Sequence, residues 1–125
     1  DWMTNHLRTI RAAYGTSAYF DFYFSEIESI ICAKHTYLKD LSIMILDFLS
    51  DKSIIDNYTL SSSYVPGTEY TGIDLRTSKI IEAESYANYH QVFEHKYGFV
   101  SNLSILDTLF NTGPECRIIL EQTVL

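Results

Sequence analysis

Residues 36–49 read TYLKDLSIMILDFL. Leu38, Leu41, Ile45, Leu46 and Leu49 recur at the three-and-four spacing of a helix, and Ile43, Met44 and Phe48 widen that stripe. A helix apolar around most of its circumference is buried on several sides. The stretch therefore predicts a central helix, with Thr36 as its N-cap. Upstream, Tyr19, Phe20, Tyr23, Phe24, Ile27, Ile30 and Ile31 keep the helical period. Ser25 with Glu28 reads as a capping box, which predicts a fresh helix start there. Further upstream, Trp2, His6, Ile10 and Tyr14 recur every four residues, with Met3, Leu7 and Ala13 beside them. That is one face of an amphipathic helix, capped by Asp1 and stopped at Gly15.

Downstream of residue 49 the pattern breaks. Ser61-Ser62-Ser63 and Pro66-Gly67 are loop punctuation, and Ile54-Ile55 and Tyr58-Thr59-Leu60 read at most as short extended pieces. Order returns near the C-terminus. Ser101 is placed to cap a helix over Leu103 to Phe110, and Gly113 ends it. Thr112 with Glu115 forms a second capping box, Pro114 suits the first turn, and Cys116, Ile119 and Leu120 form the last stripe. The fold class that follows is mainly α: one helical domain over residues 1–125, with a long irregular middle segment and at most short strands. Connections of that length are uncommon in compact domains and tend to carry function.

Composition narrows the function classes. The 125 residues are 46% hydrophobic and carry nine basic against sixteen acidic side chains, a net charge of −7. Such a chain can bury a core. Its acidic surface repels phosphate backbones, which speaks against nucleic acid. The longest apolar run, Ile43 to Leu49, is broken by Asp47, so no membrane span is expected. Cys32 and Cys116 have apolar neighbours and fit no zinc spacing; they read as buried thiols, which fits a reducing cytoplasm, with a disulfide as the alternative that nothing in the sequence demands.

The polar residues offer few catalytic patterns. There is no P-loop, GxGxxG or GxSxG. His90 and His95 are five apart, which misses the one-face spacing of HExxH and predicts no metal site. His35 reads as a solvated residue at a helix end. His6 falls on an apolar stripe, where a histidine is a hydrogen-bonded core residue or, alternatively, a catalytic one. Asp107 stands inside the apolar run Ser104 to Phe110, and is either solvent-facing or buried and paired. Ten tyrosines are many for this length, and their apolar bodies with hydroxyl tips suit sugar and nucleotide rings as well as a core.

The string from Tyr89 to Glu115, YHQVFEHKYGFVSNLSILDTLFNTGPE, closely resembles the C-terminal signature of the WbqC-like protein family. The matching positions include Tyr89, Gln91-Val92-Phe93, Gly98-Phe99, Asn102 to Asp107, Leu109-Phe110-Asn111 and Gly113-Pro114-Glu115. Ser101 stands where the family carries proline. At the other end, Asp1-Trp2, His6, Ile10, Tyr14, Tyr19-Phe20 and Tyr23 resemble the family's opening segment, with Ala18 in place of a proline. The middle matches loosely, through Asp74 and Arg76. The family's N-terminal LPxYFGP-type motif does not occur here, so the chain is expected to be the C-terminal part of such a protein.

The resemblance implies a transferase of bacterial O-antigen or surface-polysaccharide synthesis, with glycine or another amino acid passed to a sugar. It names no cofactor. Such chemistry needs a base for the amine and donors for the carbonyl oxygen. The expected catalytic residues are His6 and Asp107; Tyr14, Tyr89, Gln91 and Asn102 are the expected substrate contacts. The expected partners are a sugar or nucleotide-sugar and, through the first helix, a second copy of the chain. The alternative is a non-catalytic helical interaction or carbohydrate-binding module in the same pathway, its polar residues locking helices together.

Overall fold

The computed structural model describes residues 1–69, 71 and 85–123. Six α-helices follow one another: α1 Trp2–Tyr14, α2 Phe20–Cys32, α3 Leu38–Asp51, α4 Glu94–Tyr97, α5 Ile105–Thr112 and α6 Cys116–Glu121. Single 3-10 turns stand at Gly67–Glu69 and Gly113–Glu115. The protein is mainly α, and no strand occurs among the described residues. Asp74 and Arg76 lie outside them.

The centre of the fold is α2 with α5, not α3. In α2, Phe20, Tyr23, Phe24, Ile27 and Ile31 fall on one face and are all buried. That helix packs against α1, α3 and α5. Phe20 stacks on Phe24 with centroids 4.5 Å apart, and Phe110 meets both Phe20 (5.2 Å) and Tyr14 (5.3 Å). Leu109, Phe110 and Cys116 have no exposed surface. Burying a Leu or Phe side chain contributes about 1.5–3 kcal/mol, so this aromatic knot is the densest source of stability. In α3 only Phe48 and Leu49 are buried, while Leu38, Met44 and Ile45 are exposed. Its apolar circumference exceeds the surface that its neighbours cover.

The caps differ from the sequence expectation in four places. Helix α2 runs unbroken through Ser25, whose carbonyl accepts from Ser29 Oγ, so no helix starts there. Helix α3 is entered at Tyr37, whose N–H donates to Asp40 (3.1 Å), and not at Thr36. The cap of α5 is Ser104, whose Oγ accepts from the Leu106 N–H, and not Ser101. Thr112 bonds back to the Thr108 carbonyl at 2.8 Å instead of capping forward. In each case a nearer polar side chain, or the helix's own ladder, satisfies the backbone first. Asp1 caps α1 as expected, accepting from the Met3 N–H at 3.2 Å.

Gly113 ends α5 with φ +57°, a left-handed conformation that glycine adopts without strain. A Cβ there would stand 2.5 Å from the Tyr19 ring. Tyr19 also donates its N–H to the Phe110 carbonyl at 2.9 Å. The start of α2 is thereby fastened to the end of α5. Two expectations about thiols and histidine change as well. Cys116 is buried, but Cys32 is exposed at the end of α2, and both are free. His35 is half-buried, and its Nε2 stands 2.7 Å from the Ile30 carbonyl, so it caps the C-terminus of α2.

Candidate functional site

Asp107 sits in the first turn of α5 and is 5% exposed. Its Oδ2 accepts from the Tyr89 hydroxyl at 2.7 Å and from Gln91 Nε2 at 3.0 Å. Both donors come from the segment before α4, so chain positions 89–91 and 107 meet across the loop between them. Gln91 is 4% exposed and holds that loop by its other contacts. Its Nε2 donates to the Val100 carbonyl (2.9 Å), and its Oε1 accepts from the Val100 N–H (2.9 Å). The amide thus copies a strand's pair of backbone bonds and sets Phe99 and Val100 against Tyr89 and α5. The turn between them passes through Gly98, at φ +71°. Glu94 fixes the other side, accepting from the Gln91 N–H and from His90 Nδ1.

Asp107, Gln91 and Tyr14 line one cavity of about 200 Å³, together with Ala13, Val92, Phe93, Tyr97, Gly98, Val100 and Leu103. Apart from the Asp107, Gln91 and Tyr14 side chains its walls are apolar or aromatic. The Tyr14 hydroxyl is held above the usual tyrosine pKa, first by burial and then by the charge of Asp107. Tyr89 is raised as well, mainly by burial. Both phenols therefore stay protonated as donors well past neutrality. Tyr89 and Asn102 line a second cavity, of about 180 Å³, with Phe99, Leu103 and Thr108. The Tyr89 hydroxyl, bonded to Asp107, links the two. Asn102 is exposed and has φ +57°, a strained value tolerated best by asparagine and aspartate among side chains.

His6 stands apart. It is exposed on α1, its Nδ1 lies 2.9 Å from the Trp2 carbonyl, and its ring meets Trp2 edge-on at 5.4 Å. It lines neither cavity, and eight residues of helix put it about 12 Å along the axis from Tyr14. Nor is it the core histidine that its stripe position suggests: Met3, Leu7, Ile10 and Tyr14 pack on the core, and Trp2 and His6 flank them. Of six expected site residues, Tyr89, Gln91 and Asp107 are joined by hydrogen bonds, and Tyr14 lines the cavity beside Gln91 and Asp107. Asn102 borders this group, and His6 lies outside it. Phe93 and Tyr97, which the sequence did not mark, complete the first cavity. Their signal was their place within the motif that also holds Gln91 and Gly98. Among the described residues, no group of His, Cys, Asp or Glu is arranged to hold a metal ion.

The sequence model of the WbqC-like protein family matches residues 1–91 and 69–118. The chain belongs to the WbqC-like protein family. No curated protein and no solved structure matches it. Within this WbqC-like chain the residue group around Asp107 falls in the matched regions, and both cavities are lined chiefly from them. No helix among the described residues is long and apolar enough to cross a membrane.

Proposed function

We propose that this WbqC-like chain is the substrate-binding part of a transferase that joins an amino acid, glycine in the first instance, to a sugar of a bacterial surface polysaccharide. The observation that supports it best is a carboxylate, Asp107, held by two neutral donors at the wall of an aromatic-lined cavity. Two bonds to Oδ2 hold the carboxylate in place where it lines the cavity. In this reading the amino acid's amine attacks an activated sugar carboxyl group. The C–N bond forms as the bond to the activating phosphate or thiol breaks, and that group leaves with the electron pair. Asp107 accepts the proton that the amine loses. Tyr14 and Gln91 contact the amino-acid side, and Tyr89 and Asn102 contact the sugar in the neighbouring cavity. His6 acts as a second base only from the exposed face of α1, where a bound donor would have to reach it. The free state of Cys32 and Cys116 goes with a cytoplasmic location.

A thermal-shift panel tests the reading: nucleotide sugars, uronic-acid sugars, glycine with ATP, and acyl-CoA, on the native chain and on Asp107→Asn and His6→Ala. A ligand at 100 times its Kd adds about 2.7 kcal/mol. The expected result is stabilisation by one sugar class that Asp107→Asn loses. A flat response to the whole panel contradicts it.

One observation favours a second reading. Asp107, Tyr89 and Gln91 satisfy one another, as a purely structural network would. In that reading the chain is a non-catalytic interaction or carbohydrate-binding module of the same pathway. Its exposed Trp2, Phe22 and Leu38 then serve a partner or a second copy. Sedimentation over a hundredfold concentration range tests self-association, with a rising mass as the supporting result.

A further inference from the structure

Asp107 is buried, yet among the described residues no Lys, Arg or His pairs with it. Among the described cations, Arg11 pairs with Glu28, Lys52 with Glu26, and Arg117 with Asp56 and Glu121, while Lys96 Nζ stands over the Tyr97 ring, 4.8 Å from its centroid. Its two donors are neutral. A buried carboxylate is costly unless a cation or several donors compensate it. The cavity it lines carries three aromatic rings, Tyr14, Phe93 and Tyr97, and the last two are substantially exposed at its rim. Aromatic faces attract cations and tolerate their apolar bodies. The volume, about 200 Å³, exceeds the ~150 Å³ of an apolar cavity known to take benzene. The lining residues themselves carry no cation, the Tyr97 ring is already engaged by Lys96, and the chain as a whole is strongly acidic.

We infer that this cavity is a recognition site for a small primary ammonium group, with Asp107 as its counter-charge and Phe93 as its aromatic wall. This rests on the transferase reading only for the ligand's origin: there the ammonium belongs to the amino-acid substrate. As a binding site it stands without that reading. Recognition involves no covalent step. The ammonium donates to Asp107, while Tyr89 and Gln91 keep the carboxylate in place.

The test uses a matched pair of probes, glycinamide and glycolamide, which differ in an ammonium against a hydroxyl. Calorimetric titration of the full chain at neutral pH is expected to show glycinamide bound at least tenfold more tightly. Asp107→Asn is expected to remove that preference. Because Asp107→Asn removes a buried charge and can disturb folding, the rim variant Phe93→Ala provides an independent arm. It is expected to weaken glycinamide about three- to tenfold and leave the melting temperature near that of the native chain. Equal affinity for the two probes, no binding of either, or full binding by Phe93→Ala overturns the inference. If glycinamide binds while the sugar panel stays flat, the site stands and the transferase reading falls. If the sugar panel responds and glycinamide does not bind, the transferase reading stands and the ammonium site falls.

Discussion

Replacing Tyr89 by Phe removes one hydroxyl and leaves the ring against Phe99, which it meets edge-on at 5.4 Å. The Asp107 carboxylate then loses its shorter hydrogen bond. Bonds to charged groups are worth about 1.5–3 kcal/mol, so the variant is expected to lose about 2 kcal/mol in denaturant titration. Alkaline pH probes the same group without mutation. Tyr14 and Tyr89 have folded pKa values above the ordinary 10.0, and burial lifts Cys116 from 9.0 to about 11. A raised folded pKa means that the unfolded chain loses its proton first. The contribution of these three groups to stability is therefore fully present below pH 9 and is lost as pH rises through 9 to 11 and beyond. Equilibrium unfolding from pH 8 to 11 is expected to show this decline, with the phenols sustaining it above 10. How far the sequence reached is clear at this scale. Asp107 stood out because a carboxylate in an apolar run must be paired or exposed. His6 misled because a stripe position fixes the face but not whether that edge of it is covered.

At the level of elements, Gly113→Ala forces a side chain into the left-handed region and onto the Tyr19 ring. It is expected to cost about 2–4 kcal/mol, measured as a lowered midpoint at unchanged slope. Ser104→Ala removes the cap of α5 and is expected to cost about 1 kcal/mol. Ser25→Ala, in mid-helix, is expected to change stability by less than 0.5 kcal/mol. The contrast separates real caps from sequence look-alikes. Helical periodicity was legible for α1, α2, α3 and α5, since apolar spacing is local. Cap choice was not, because Ser25 and Ser104 carry the same side chain and differ only in what the neighbouring chain has already satisfied. The centrality of α2 over α3 was equally hidden: both are apolar, and only long-range packing decides which is enclosed.

For the whole molecule, the weak point is α1. None of its residues is buried, and it rests on α2 and α5 through half-buried Met3, Leu7, Ile10 and Tyr14. Its ion pair, Arg11 to Glu28, is exposed and contributes little. Hydrogen exchange is expected to show residues 2–14 opening well before α2 and α5. Tyr14 ends that helix and lines the Asp107 cavity, so a bound ligand should slow exchange in α1 while leaving α2 nearly unchanged. The cavity itself was not legible in the sequence. It arises where residues 13–14, 91–100 and 107 meet, and no periodicity reports such a meeting. The claim that most needs testing is that the Asp107 group is where the ligand binds. Gln91 reports on it directly, because its side-chain amide touches Asp107, Tyr89 and Val100 together. The measurement is the ¹⁵N–¹H signal of that side-chain amide during titration with glycinamide and then with the sugar that stabilises the chain. The account predicts a saturable shift at the same concentrations as the thermal effect. A stationary Gln91 signal, with shifts saturating elsewhere on the molecule, would contradict it.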